Sequence, residues 1–182
     1  MPAPTRTTRA AWVDAGLAAL AEGGPDAVRV DVLAQTLGVT RGGFYHQFDD
    51  RQALLDALLD AWETRSTDEV LERVEREGGD ARTKATKAGL LTFSDELLPV
   101  DLAVRDWARR DDAVAARLRR VDNRRMDYLR SLIAELNADP DDVEAIALLA
   151  FSMLIGDHFI AADHPGRSRR QVMQRAAQRL LG

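Results

Sequence analysis

From Val30 to Leu55 the chain reads VDVLAQTLGVTRGGFYHQFDDRQALL. Gly38 in that run leaves little choice of local structure. It follows an apolar stretch, where a left-handed residue can end a helix and only glycine sits without steric cost. The run therefore predicts a short helix, a tight turn, a second short helix and the start of a long one. Val32, Leu33 and Leu37 are expected on one side of the first helix. Val39 turns inward, and Thr40 offers its hydroxyl as N-cap of the second helix. Phe44 and Phe48 are four residues apart, so they share a buried face. Arg41, Gly42, Tyr45 and His46 are left pointing outward. A short helix with large apolar anchors behind and these side chains in front suits a DNA major groove.

The same residues resemble the helix-turn-helix of TetR-type transcriptional regulators, the tetracycline-repressor family. The likeness runs over about fifty residues, from near Thr8 to near Leu59. AAWVDAGLAALAEGG corresponds to a first helix, GVTRGGFYHQF to the turn and recognition helix, and DDRQALLDALL to the start of the fourth helix. A Gly-containing turn between helices is common by itself. Gly-Val-Thr-Arg-Gly leading to Phe-Tyr-x-x-Phe, then a basic residue and Ala-Leu-Leu, is far more restrictive.

The resemblance implies an all-α fold. A three-helix helix-turn-helix DNA-binding domain would occupy residues 1–50, and a helical effector-binding and dimerisation domain residues 51–182. It also implies roles. Tyr45 would touch a phosphate or a base edge, Gln47 a phosphate, and Arg51 a phosphate from the next helix start. The Thr40 hydroxyl and nearby backbone amides can take a phosphate, and Arg41 can pair with guanine edges. Gly42 and Gly43 let the backbone approach DNA closely. The family usually keeps a larger residue where Gly43 stands, which moves specificity toward Arg41, Tyr45 and His46. It usually has Ser or Thr where Arg29 stands; a cap is lost there and a guanidinium gained, for phosphate or for base.

Charge weighs against indiscriminate nucleic-acid binding. The formal net charge is −5, and residues 1–51 hold five arginines against six acidic residues. Placement has to compensate. Arg6, Arg9, Arg29, Arg41 and Arg51 are expected on the DNA side, with Asp14, Glu22 and Asp26 behind it. Asp49 and Asp50 oppose binding unless they cap the fourth helix. The expectation is modest non-specific affinity with steep salt dependence.

Along the chain, Met1 to Thr8 reads as an arm with two prolines. Arg9 to Ala21 carries Trp12, Val13, Gly16, Leu17 and Leu20 at helical spacing, and Glu22-Gly23-Gly24-Pro25 stops it. From Asp50 a longer helix carries Leu54, Leu55, Leu58, Leu59 and Trp62, then Val70, Leu71 and Val74, ending at Gly78-Gly79. Further helices are expected over Asp80 to Leu98, Val100 to Arg109, Asp111 to Leu136, Val143 to Ala162 and Arg167 to Leu181. The total is about nine, with no strand pattern. Asp139 to Asp142 makes an acidic helix start.

Ala145 to Gly156 is apolar almost all round, which fits either a core helix or one that also forms a subunit interface. In the family the last two helices build a four-helix bundle across a two-fold axis, so the resemblance implies a homodimer on a palindromic operator. Family pockets lie among the middle helices, making Trp62, Phe93, Trp107, Asp122, Arg125, Met126, Tyr128 and Phe151 candidates to line an effector site. Single aromatic and methionine residues at this spacing are more often core. Asp122 and Arg125 read either as a structural pair or as the polar end of such a pocket. The stretch from Arg109 to Arg130 holds eight arginines and four aspartates, which reads as a solvated face laced with ion pairs, the alternative being a second DNA surface.

Cysteine is absent, which excludes thiolate metal sites, disulfides and a cysteine nucleophile. His158 and His164, six apart, fall on different helix faces and suggest no metal site. No catalytic constellation, cofactor motif, secretory signal or membrane span is recognisable. The expectation is a cytoplasmic, ligand-responsive repressor that binds double-stranded operator DNA, needs no cofactor and is no enzyme. A helix-turn-helix turned toward a protein partner is the first rival, and an all-α enzyme the second.

Overall fold

The computed structural model describes residues 7–137 and 139–181, and the expected arm and Arg6 lie outside the described residues but for Thr7 and Thr8. The helices are α1 (Arg9–Gly23), α2 (Val30–Thr36), α3 (Arg41–Phe44), α4 (Arg51–Glu63), α5 (Glu69–Glu77), α6 (Ala81–Thr92), α7 (Leu98–Ala108), α8 (Asp112–Ala134), α9 (Pro140–Gly156) and α10 (Arg169–Leu181). A π-helical turn, Thr64–Asp68, joins α4 to α5, so 51–77 is one unbroken run, and the described residues hold nine separate α-helical runs, one 3₁₀ turn (Pro25–Ala27) and no strand.

Local chemistry sets most boundaries. Thr8 caps α1 by accepting from the Ala11 amide at 3.2 Å, and Gly24 closes it with φ +69°. Asp50 caps α4 through the Ala53 amide at 2.8 Å, and Asp80 caps α6 through the Thr83 amide at 2.8 Å. Asp139 accepts from the Asp141 amide at 2.9 Å, with Pro140 at the first helical position, where its missing N–H costs nothing.

Several boundaries differ from those the apolar spacing suggests; α9, for one, starts at Pro140 and not at Val143. The helix expected to reach Leu98 ends at Thr92, where Phe93 and Ser94 donate to the Gly89 and Leu91 carbonyls. Leu98 instead starts α7, with Pro99 in its first turn. The helix expected to reach Ala162 stops at Gly156. There the Arg169 guanidinium holds the following loop by donating to the carbonyls of Asp157, Ile160 and Ala162 and to the Asp157 carboxylate.

The chain divides into two compact units: residues up to Asp68 with Asp95–Arg120, and Glu69–Ser94 with Val121–Gly182. In the first, α1 packs on α2, α4 and α7. Trp12, Leu20, Leu33, Phe44, Leu54, Leu58 and Trp62 are its largest fully buried side chains. A Cβ added to Gly16 would meet Leu58 Cδ2 at 2.8 Å, so glycine lets α1 and α4 approach closely. In the second, α5 packs on α6 and α9 on α10. Ile133 and Ala147 centre one cluster and Leu132 another with Ala81 and Ala85.

Candidate nucleic-acid interface

The recognition segment is held from behind by aromatic rings. Phe44 is fully buried, with its ring 5.3 Å from Trp12 at 72° and 5.4 Å from Phe48 at 22°. Edge-to-face and offset pairs of this kind add to the burial of large apolar surface. Trp12 is the third member of the anchor, and the sequence reading placed it in α1 without linking it to α3. Its Nε1 is buried without a hydrogen-bond partner, so shape rather than polarity fixes its position. Arg9 lies 4.8 Å over the Phe48 ring, which places its charge against the back of the segment.

In front, Arg41, Gly42, Tyr45 and His46 are exposed, as the spacing of the phenylalanines requires. Gly38 has φ +66°, the left-handed turn expected between α2 and α3. Two expectations on this turn fail. Thr40 takes the extended N-cap backbone, but its hydroxyl makes no cap hydrogen bond; α3 is four residues long, and the first bond in it is Gly43 N–H to the Thr40 carbonyl at 3.0 Å. Val32 is 41% exposed, because α2 buries Leu33 and Ala34 and successive helical residues diverge by about 100°. Leu37, past the end of α2, is half-buried.

The outer residues have distinct partners. Arg29, the N-cap of α2, makes no capping bond and pairs with Asp31 at 3.0 Å on the surface. Desolvation tends to raise the Asp31 carboxyl, but the Arg29 guanidinium and the Asp31 and Val32 amides outweigh it and hold it below the usual value. Gln47 Nε2 donates to the Thr7 carbonyl at 3.4 Å. Arg51 Nε donates to the Val28 carbonyl at 2.7 Å, and its Nη2 donates to the Pro25 carbonyl. Asp50 is engaged as the α4 cap and Asp49 is exposed beside it. Asp14 pairs with Arg65 at 2.7 Å.

The effector candidates are distributed over both units. Trp62 and Trp107 are buried in the first. Trp62 Nε1 donates to Asp101 Oδ1 at 3.2 Å, and Arg105 Nε meets Asp101 Oδ2 at 2.8 Å. Asp101, wholly buried, escaped the sequence reading; its only signal there is an arginine one turn later in an otherwise apolar helix start. In the second unit Phe93 and Phe151 stand 6.2 Å apart edge-on, and Phe151 packs on the cluster that contains Met126. Arg125 is buried and pairs with half-buried Asp122 at 3.7 Å. Tyr128 donates to Glu75 at 2.6 Å, and Lys84 reaches the other Glu75 oxygen at 2.6 Å. Those bonds, from Lys84 first and Tyr128 second, hold the Glu75 carboxyl below its usual value; burial first and then Glu75 push the Tyr128 hydroxyl up.

The arginine-rich stretch of α8 holds an i,i+3 pair of the expected kind, Arg130 with Asp127 at 2.8 Å, but other pairs reach outside the helix: Arg117 meets Asp60 at 2.6 Å and Glu63 at 3.0 Å, and Arg130 meets Glu144 at 2.6 Å. Among the described residues no His and carboxylate cluster has metal-binding form, and no helix is long and apolar enough to cross a membrane.

Residues 13–58 match the family model for bacterial regulatory proteins of the tetR family. No curated protein matches the sequence. Among solved structures, a protein from Rhodococcus sp. described as a TetR-family transcriptional regulator is 25% identical, with a TM-score of 0.68 covering 96% of this chain and 98% of its own. A TetR transcriptional regulator from Legionella pneumophila is 13% identical, with a TM-score of 0.77 over 100% of both chains. AibR, solved with isovaleryl coenzyme A and operator DNA, is 15% identical, with a TM-score of 0.70 over 95% of this chain and 97% of its own. Residues 13–58 are thus similar to the tetR-family regulatory segment, and the chain around them has the all-helical fold of solved TetR-family transcriptional regulators.

Proposed function

We propose that this protein is a ligand-responsive repressor that binds a palindromic operator as a homodimer in the cytoplasm, with no enzymatic step. Residues 1–50 read DNA and residues 51–182 serve effector binding and dimerisation. The observation that carries the reading is the polarity of the recognition segment, with Phe44 and Phe48 buried and Arg41, Tyr45 and His46 exposed on the other side. Arg41 contacts base edges, Arg29, Tyr45 and His46 a base or phosphate, and Thr40 and Gln47 the backbone, while Gly42 and Gly43 admit close approach.

Dimerisation through α9 and α10 is supported by what one chain leaves uncovered. Leu148 is 57% and Leu149 54% exposed in mid-α9, and α10 has no fully buried residue. Two-fold pairing would set two recognition helices on half-sites about one DNA turn or more apart. An effector site is placed in the second unit, near Phe93, Met126 and Phe151, with Asp122, Arg125 and Tyr128 as polar groups. AibR, of this fold, was solved with a small molecule and operator DNA together, which supports the same two ligand classes here. An effector shifts operator affinity only by its differential affinity for the DNA-competent spacing.

The test is selection of bound fragments from the source genome, then mobility-shift assays with Arg41→Ala and Tyr45→Ala. Both variants should lose the shift at protein concentrations that saturate the parent. Parent-like binding by both sinks the site assignment; no bound fragment sinks the regulator reading in favour of a protein-binding module.

A further inference from the structure

We infer that Arg51, though exposed, positions the DNA-reading helices by holding the connector between α1 and α2, and that its Nε–Nη2 edge is engaged there and not by a phosphate; the inference rests on the DNA-binding reading above. Arg51 is the first residue of α4, and Asp50 fixes the backbone there by capping that helix. From this base its guanidinium reaches back over more than twenty residues to the connector between α1 and α2. Nε meets the Val28 carbonyl at 2.7 Å and Nη2 meets the Pro25 carbonyl.

That connector is also held by its own backbone bonds and by packing on α1. It is a single 3₁₀ turn, Pro25–Ala27, closed by the Val28 amide on the Pro25 carbonyl at 3.2 Å, with the Val28 side chain fully buried. Two residues later Val30 starts α2, and the Arg29 carbonyl takes the first helical bond from Leu33 at 2.9 Å. Whatever fixes the Val28 carbonyl therefore fixes where α2 begins. Because α2 packs on α3, it also fixes how α3 is presented.

Nε–H and Nη2–H form the side-on edge of a guanidinium, one of the two edges that can receive a phosphate bidentately. Here that edge is committed to two backbone carbonyls. Releasing it to a phosphate would leave the part-buried Val28 carbonyl without this partner. Lysine separates the two roles. An ammonium still binds a phosphate as a point charge, but lacks the planar fork that bridges two carbonyls.

The experiment compares the parent, Arg51→Lys and Arg51→Ala at a temperature where all are folded by circular dichroism. In the free protein, amide exchange over residues 25–33 should quicken about tenfold in both variants, the equivalent of losing one hydrogen bond to a charged group. Operator affinity should fall about tenfold in both, with the slope of affinity against salt unchanged from the parent. Parent-like affinity in Arg51→Lys, unchanged exchange, or a slope smaller by about 0.9 in Arg51→Ala would each overturn the inference. If Arg51→Ala does not fold, Arg51→Lys decides alone. If the parent binds no DNA, the regulator reading falls, and the exchange measurement still tells whether Arg51 holds the connector.

Discussion

Helices α3 and α9 put opposite kinds of residue inside. α3 is four residues long and carries two glycines, a poor helix by propensity, yet Phe44 within it is fully buried and Arg41 is exposed. α9 is seventeen residues long and strongly apolar, yet it buries Ala147 and Ala150 and leaves Leu148 and Leu149 more than half exposed. A surface helix normally buries its largest apolar side chains first. α3 obeys that rule within one chain and α9 does not. The contrast teaches that the α3 segment turns its large side chains into its own unit, whereas α9 leaves two of its leucines uncovered in the single chain.

Removing the anchor is the strongest way to break the first half of that contrast. Phe44→Ala should cost about 3–5 kcal/mol, the usual loss for a buried aromatic, out of a total domain stability of about 5–15 kcal/mol. Denaturant titration followed by tryptophan fluorescence would read it, since Trp12 lies against the lost ring. A loss below about 1 kcal/mol would mean that α3 is not held by this ring.

The second half is tested on α9. Replacing Leu148 and Leu149 together by Glu puts charge on an exposed surface, so helix content should stay at the parent value. If that surface is the subunit interface, association should weaken by about 2–4 kcal/mol, as for central interface residues, and sedimentation should report monomer where the parent sediments as dimer. A parent that is monomeric throughout would remove the reason offered for the exposed leucines.

Arg41→Ala sharpens the same division from the outside. The side chain is exposed, so stability should move by less than about 0.5 kcal/mol. Operator affinity should fall by about 1–3 kcal/mol, the range for one guanine-reading contact, and the loss should be largest for the base pair it reads. A uniform loss on all sequences would reassign Arg41 to the phosphate backbone.

Legibility in the sequence followed a similar division. The five residues expected on the inner side of α1, Trp12, Val13, Gly16, Leu17 and Leu20, are the five that it buries. Phe44 and Phe48 lie behind α3 as their spacing required, because a four-residue step is a local, geometric fact. What the sequence did not show depends on partners distant along the chain. Trp12 against Phe44, Arg51 on Pro25 and Val28, and Trp62 on Asp101 all join residues more than twenty apart. The Thr40 hydroxyl makes no cap bond for a related reason: a capping residue type supplies the acceptor, but a one-turn helix need not present the amide to it. The ends of α6 and α9 were lost because apolar spacing continues through Leu97 and Ile160 into turns closed by backbone bonds.

The smallest effect expected is at Gly43, and it separates holding the recognition helix from using it. A Cβ built there meets nothing within 4 Å, unlike one at Gly16, which would run into Leu58. Gly43→Ala therefore removes backbone freedom from the unfolded chain without a clash and should stabilise the protein by about 0.5–1 kcal/mol. Thermal unfolding should shift up by a few degrees for a unit of this size. If the bare backbone at Gly43 is what lies against DNA, the same methyl group intrudes there, and operator affinity should fall while stability rises. Opposite signs in the two measurements would assign Gly43 to the interface. A gain in both would show that its glycine serves no close approach, leaving contact with the groove to Arg41, Tyr45 and His46.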